Sequence, residues 1–387
     1  MPELDDKKTL NMIDQYAKDG YRVLLLAHSA DKINKDNIPA RKTAVSLLVL
    51  EDRIRDEAIE TIKWFKENGV KVKIISGDNP LTVAEIAKRV GVANTDSFIN
   101  LEGMNEKQVI AAANKYTVFG RVTPDQKAIL VRALKATGNT VAMTGDGVND
   151  ILALKEADCA VAMASGSEAV RSVSHMVLLN SDFGSMPETV KEGRRVINNV
   201  QKSSSLFFMK TIFSIVFSVL MLILNCVYPL KTVNNILLET FVIGIPSFLL
   251  AFLPNDKPIE GKFIYNLFKN ALPAAITLIL NGIAVYVFVW ITKGNLNYTE
   301  VLTTMMTITV TFTGLAMLMR LCKPYTGFTG SLFVTMFALC LTALTIFPNF
   351  FTLISLELQD MLFVIILILL SPTIINTLYK VFEKMRF

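Results

Sequence analysis

Through residue 202 the chain alternates short apolar runs with stretches whose apolar residues recur every three or four positions. Beyond it, long apolar runs take over. A short apolar run bounded by turn residues reads as a strand, and recurrence at i, i+3 and i+4 as an amphipathic helix. On this pattern residues 7–18 form a helix with Leu10, Ile13 and Ala17 on one side, stopped by Asp19-Gly20. Strands follow at 21–27 and 45–50, and a helix at 56–68 carries Ile59, Ile62, Trp64 and Phe65 before Gly69 ends it. A strand at 70–75 leads into a helix at 82–90. Residues 118–127 start apolar and pass into a helix with Pro124 in its first turn, where a missing N–H costs nothing. Strands at 140–143, 160–164 and 176–179 and a polar helix at 185–201 complete this half. Six apolar segments follow near 204–226, 235–253, 271–292, 300–320, 330–347 and 360–379, most of them matching the ~20 residues of a spanning helix.

Composition sharpens the division. Of 387 residues 52% are hydrophobic and only 19% charged, and most of the charge lies before residue 203. The net charge of +5 is modest and gives no case for nucleic acid. Basic residues fall on alternate loops: Lys257, Lys262, Lys269, Arg320, Lys323, Lys380, Lys384 and Arg386 on the side of the first half, with Lys231 and Lys293 opposite. That bias predicts a cytosolic first half and a cytosolic C-terminus. Four scattered cysteines show no metal or disulfide spacing, and residues 1–6 are polar and acidic, unlike a signal peptide.

Candidate chemistry gathers where strands end. Thr144-Gly145-Asp146-Gly147-Val148-Asn149-Asp150 follows the strand at 140–143. Its glycines permit sharp turns, and Asp146 and Asp150 place two hard oxygen donors beside a helix start, suited to Mg²⁺ held together with a phosphate. Ser76-Gly77-Asp78 follows the strand at 70–75, and the Ser76 hydroxyl can donate to a phosphoryl oxygen. Lys127, one turn into its helix, can reach back over the strand ends and neutralise a transferring phosphoryl group.

Three stretches together resemble the P-type ATPases: Thr144–Asp150 with Ala153-Leu154-Lys155 and Ala157-Asp158, then Ser76-Gly77-Asp78, then Arg121, Pro124 and Lys127. These are pumps whose phosphorylation domain has the haloacid-dehalogenase fold. The resemblance implies an α/β haloacid-dehalogenase-like domain with a Rossmann-type parallel sheet, followed by an all-α membrane domain of six helices. It assigns residues 1–40 to a remnant of the nucleotide-binding domain, 41–202 to the phosphorylation domain without its nucleophile strand, and 203–387 to the membrane. It further implies that Asp146 and Asp150 hold Mg²⁺ and Asn149 shapes that site. Lys127, Ser76 and Gly77 would hold phosphoryl oxygens, while Asp78 and Arg121 face ATP. Asp52 and Arg55 match a hinge motif in part, lacking its two prolines.

Polar groups in spanning segments are costly and therefore functional candidates. Glu239 and Thr240, with Gly244 and Pro246 shortly after, are the clearest ligands for a transported cation, and Asn225 and Asn281 are weaker ones. Ca²⁺ or Mg²⁺ is the expected ion, on resemblance and Glu239. The threonines between 303 and 313 read as helix-packing residues. The aspartate-lysine-threonine-glycine motif that carries the pumps' nucleophile occurs nowhere in the chain. The chain therefore reads as the C-terminal part of a bacterial plasma-membrane pump, inactive without its N-terminal half. The alternatives are a non-catalytic partner of another pump and a membrane-anchored phosphatase of the same fold.

Overall fold

The computed structural model describes residues 7–19, 21–30, 43–51, 54–294 and 299–384, which fall into two compact units, Met1–Thr189 and Val190–Phe387. In the first unit, helix α1 (Lys7–Lys18) precedes strands β1 (Arg22–His28) and β2 (Thr43–Leu50). These two strands pair antiparallel, with an irregularity between Leu26 and Ala27. β1, from the stretch read as a nucleotide-domain remnant, is thus hydrogen-bonded to the strand that opens the next segment. Leu24, Leu26, Val45 and Leu48 are exposed on this ribbon.

The order then becomes alternating: α2 (Asp56–Glu67), β3 (Ile74–Ile75), α3 (Pro80–Arg89), β4 (Phe98–Asn100), α4 (Glu106–Ala113), β5 (Val118–Gly120), α5 (Pro124–Ala136), β6 (Ala142–Gly145), α6 (Ile151–Glu156), β7 (Cys159–Met163), α7 (Glu168–Val173) and β8 (Met176–Leu178). The strands form two parallel sheets, ordered β3-β5-β4 and β6-β7-β8. Among the described residues, β3 and β6 each keep one edge unpaired.

Two helices serve both sheets. On α2, Ile62 packs with Ile74, Phe98 and Val118, whereas Phe65 packs with Val161 and Leu178. On α5, Leu130, Ala133 and Leu134 close over Phe119 and Leu101, and Ile75 and Val141 lean on the same cluster. Parallel strands need helices on both faces because their polar edges and apolar faces must leave water together. Here that cover is shared.

Helix starts are set by local chemistry. Asn79 accepts from the Leu81 N–H with Pro80 at the first position of α3. Thr123 and Gln126 cap α5 reciprocally, and the buried Gln126 amide also donates to the carbonyls of Leu101 and Met104. Capping of this kind satisfies N–H groups that the helix itself leaves unbonded.

Asp158, just before β7, joins β6 to α5. Its carboxylate accepts from the Val141 N–H at 2.9 Å and from Lys135 Nζ at 3.0 Å. The backbone hydrogen bond first, then the lysine, hold this carboxyl below its ordinary range. A depressed folded value contributes stability that is present above the unfolded carboxylate range and is lost as pH falls through the folded one. Asp158→Asn should therefore unfold more readily than the parent at neutral pH, with the difference closing on acidification, as urea titrations at a series of pH values would show.

The second unit contains the apolar helices. The expected polar helix at 185–201 and the first spanning segment are one helix, α8 (Met186–Ile223), which passes through the division between the units. The second span is broken into α9 (Thr232–Leu237), a π-helical turn (Leu238–Gly244) and α10 (Ile245–Ala251). Then come α11 (Phe263–Lys293), α12 (Thr299–Leu321), α13 (Gly327–Ile346) and α14 (Leu358–Lys384). Six helices among the described residues are long and apolar enough to cross a membrane. α12 is the innermost. Two of its threonines bond to backbone outside the helices: Thr303 donates to the Pro229 carbonyl, and Thr304 accepts from the Ile354 N–H. Asn281 of α11 donates to Thr313 of α12 at 3.0 Å and Ser371 of α14 at 2.9 Å, tying three helices at one buried point.

Candidate phosphoryl and cation sites

The carboxyl ends of β3 and β5 converge through hydrogen bonds that their loops make with one another, and the Lys127–Asp150 pair links them to the end of β6. The Ser76 N–H donates to the Phe119 carbonyl, the Arg121 N–H to the Asp78 carbonyl and the Val122 N–H to the Ser76 carbonyl. Arg121 adopts a left-handed φ of 53° to make this link, a conformation that costs a non-glycine residue and is held only by its surroundings. Gly120 is required beside it, because an added Cβ would lie 2.5 Å from the N, Cα and Cβ of Pro80.

Lys127 completes the junction. Its Nζ lies 2.6 Å from Asp150 Oδ1, and both side chains are close to nine-tenths buried. The second Asp150 oxygen faces the Gly147 N–H at 3.4 Å. Gly145 makes room for this carboxylate, since a Cβ there would meet Asp150 atoms at 2.7–2.9 Å. Asp150 is thus committed to a lysine and a backbone N–H. Asp146 differs: it is exposed, and its carboxylate makes no bond among the described residues, while its carbonyl accepts from the Ser167 N–H. Gly166 lets that loop approach, a Cβ there falling 2.8 Å from the Asp146 carbonyl oxygen.

The donor set fits Mg²⁺, which binds through one or two carboxylates plus phosphate and water. Asp146 is the open carboxylate and Asp150 stands four residues on across the turn. No group of three His, Cys, Asp or Glu side chains clusters among the described residues, as a cage built wholly from protein would require.

The structure therefore brings Ser76, Asp78, Arg121, Lys127, Asp146 and Asp150 to one end of the parallel strands. Ser76 Oγ is engaged by the Asp78 N–H at 3.1 Å, and Gly77, Asp78 and Asn149 are exposed. Arg55 goes elsewhere: at the start of α2, it donates to the Ser181 carbonyl at 2.9 Å. Asp52 lies outside the described residues. Sequence reasoning missed Gly120, Gly166 and Asn79. Asn79-Pro80 was a readable cap signal, whereas the two glycines matter through contacts distant in sequence.

In the second unit Glu239 is the second residue of the π-helical turn, followed by Thr240. Its carboxylate is paired with Lys210 of α8, a lysine unnoticed in the sequence although it interrupts an apolar run. Asn225 is not within a span. It sits two residues past α8 with φ 53° and ends that helix, its neighbour's Cys226 N–H bonding back to the Met221 carbonyl. Asparagine tolerates this left-handed position.

The chain thus joins a parallel α/β domain, with carboxylates, a lysine and a hydroxyl at its strand ends, to six helices long and apolar enough to cross a membrane. Residues 11–158 match the haloacid dehalogenase-like hydrolase family. The chain is 37% identical over 318 residues to a probable cation-transporting ATPase, exp7, of Streptococcus pneumoniae, covering 79% of this chain and 40% of the relative. It is 39% identical over 279 residues to the calcium-transporting ATPase CtpE of Mycobacterium tuberculosis, covering 69% of this chain and 34% of the relative. A calcium-transporting ATPase of Bacillus cereus is 28% identical over 299 residues, 74% of this chain and 33% of the relative. Over most of its length the chain is thus similar to cation-transporting ATPases, consistent with the P-type family, and as a multi-pass membrane protein it spans about two fifths or less of those relatives' length.

Proposed function

We propose that this chain forms the phosphoryl-handling and ion-path part of an ATP-driven cation pump in a bacterial plasma membrane, with the first unit cytosolic. One observation carries the reading: Lys127 and Asp150 are paired in a dry junction where the ends of β3, β5 and β6 meet, beside the open carboxylate of Asp146. Lys127 and Ser76 hold phosphoryl oxygens of ATP or of a phosphorylated aspartate, and Asp78 and Arg121 face the nucleotide. Asp146 holds Mg²⁺, which when bound neutralises phosphoryl charge; Asp150 and Asn149 keep that turn in shape.

The aspartate itself arrives on a strand that pairs with the free edges of β3 and β6. Support comes from the shared cover: α2 and α5 each pack on both sheets, and Ile75 and Val141, at the two edges, lean on one cluster. Glu239 and Thr240 are cation ligands. The CtpE and Bacillus relatives are calcium-transporting ATPases, which favours Ca²⁺ over Mg²⁺ as the transported ion.

The test is acid-stable labelling by radiolabelled ATP in Mg²⁺, on this chain alone and co-expressed with the N-terminal half of such a pump. Label is expected only in the pair and should vanish in Asp146→Ala. Label on this chain alone would place a nucleophile within it, and no label in either case would sink the reading.

A further inference from the structure

We propose that Ser181 is a positioning residue for the metal site: its hydroxyl holds the loop that fixes the backbone of Asp146, and so sets how tightly that turn takes Mg²⁺. This rests on the reading of Asp146 as the Mg²⁺ ligand.

The loop after β7 reaches Asp146 through its backbone. The Ser167 N–H donates to the Asp146 carbonyl at 3.2 Å, and Gly166 lies so near that a Cβ would stand 3.1 Å from Asp146 Cα. The last rung between β7 and β8 runs from the Ala164 N–H to the Leu178 carbonyl. Past it the chain leaves the sheet, with Leu179 exposed, and turns back at Ser181, whose N–H donates to the same carbonyl at 2.9 Å. Ser181 Oγ then accepts the Ser165 N–H at 2.8 Å. That bond holds the Asp146 loop from behind.

Ser181 sits in the left-handed region, with φ 49°, where glycine is at ease and serine is strained. Residues kept there are fixed by their surroundings and cluster at functional sites. Both oxygens of Ser181 are in use, Oγ by Ser165 and the carbonyl by Arg55 at 2.9 Å. The segment that follows is anchored as well. The Asp182 carboxylate accepts from the Gly184 N–H at 2.7 Å, and Ser185 Oγ donates to the Asp182 carbonyl at 2.7 Å. A Cβ on Gly184 would fall 3.0 Å from Glu57 Cβ, and the Phe183 ring lies 5.9 Å from that of Phe65. Ser181 is therefore a fixed post between α2 and the Asp146 loop, braced by Arg55. Glycine would close the same turn without strain, but it has no hydroxyl to offer Ser165. Mg²⁺ demands near-ideal octahedral geometry, so a carboxylate whose backbone drifts holds it less well.

Mn²⁺, a paramagnetic stand-in for Mg²⁺, titrated onto the full chain in lipid nanodiscs and followed by electron paramagnetic resonance, tests this. Stability is followed in parallel by the urea midpoint of Trp64 fluorescence with Trp290→Phe. Ser181→Gly should bind Mn²⁺ about tenfold more weakly than the parent, as loss of an outer support does at metal sites. Its midpoint should stay close to the parent's, because the strain relieved offsets the bond lost. Ser181→Thr keeps the hydroxyl but puts a β-branched residue at a left-handed φ. It should do the reverse, binding like the parent with a lower midpoint. Should Ser181→Thr not fold, Ser181→Asn tolerates this backbone, keeps a side-chain acceptor and should also bind like the parent. If affinity instead follows the midpoint from variant to variant, or Ser181→Gly binds like the parent, Ser181 only shapes the turn and the proposal is overturned. Asp146→Ala should abolish binding. If it binds like the parent, or the parent binds no Mn²⁺, Asp146 is not the metal ligand and the inference falls with that reading.

Discussion

Asp150→Ala is expected to lower the stability of the first unit by roughly 3–5 kcal/mol, because it leaves the Lys127 ammonium buried without its partner. Lys127→Met should cost less than that, as Asp150 keeps the Gly147 N–H. Removing both charges as Lys127→Met/Asp150→Leu should recover most of the loss, since a buried pair replaced by apolar groups is often close to neutral. Urea unfolding followed by Trp64 fluorescence, in a Trp290→Phe background, reads this directly, as the chain has only two tryptophans. Asp146→Ala, at an exposed and unpaired carboxylate, should shift stability by less than ~0.5 kcal/mol while abolishing labelling. Equal losses at 146 and 150 would contradict the division of roles between them.

Gly120→Ala should be the second severe change. The added methyl would meet three Pro80 atoms at 2.5 Å, two of them backbone, so relief requires moving the start of α3. Overpacking of this kind costs about 1–3 kcal/mol and more where backbone must yield. Because the Ser76–Asp78 loop is hydrogen-bonded to Arg121 and Val122, the shift should also reduce labelling in the reconstituted pair. Gly77→Ala serves as the comparison. Its methyl would meet nothing closer than the Val122 carbonyl at 4.0 Å and should be well tolerated for stability.

What could be read in the sequence follows how local each signal is. Thr144–Asp150 and Ser76–Asp78 were legible because turn chemistry is written in adjacent residues. The six apolar segments were legible because length and composition suffice. Nothing in residues 91–117 was anticipated, although Asn105 and Gln108 cap α4 reciprocally, and β4 has only three residues. The antiparallel β1–β2 pairing was also out of reach, since composition marks a strand but not its neighbour. Asn225 was weighed as a cation ligand on polarity alone, whereas asparagine just past a long apolar helix is a common way to end one. Glu239 was found, but its partner Lys210 lies on another helix, and only the structure joins them.

The node at Asn281, Thr313 and Ser371 has a mechanical consequence. Directional bonds from one amide to two hydroxyls fix both the rotation and the height of α11, α12 and α14 against one another. A helix that slid by one residue would strand a polar group among apolar neighbours, so these three resist gradual motion. They act as the pier of the membrane region. If the chain carries ions as proposed, rearrangement during their passage falls to the second span, where the π-helical turn already interrupts regular bonding. Movement there is a bend at Leu238–Gly244 against a fixed support, and the whole bundle need not twist.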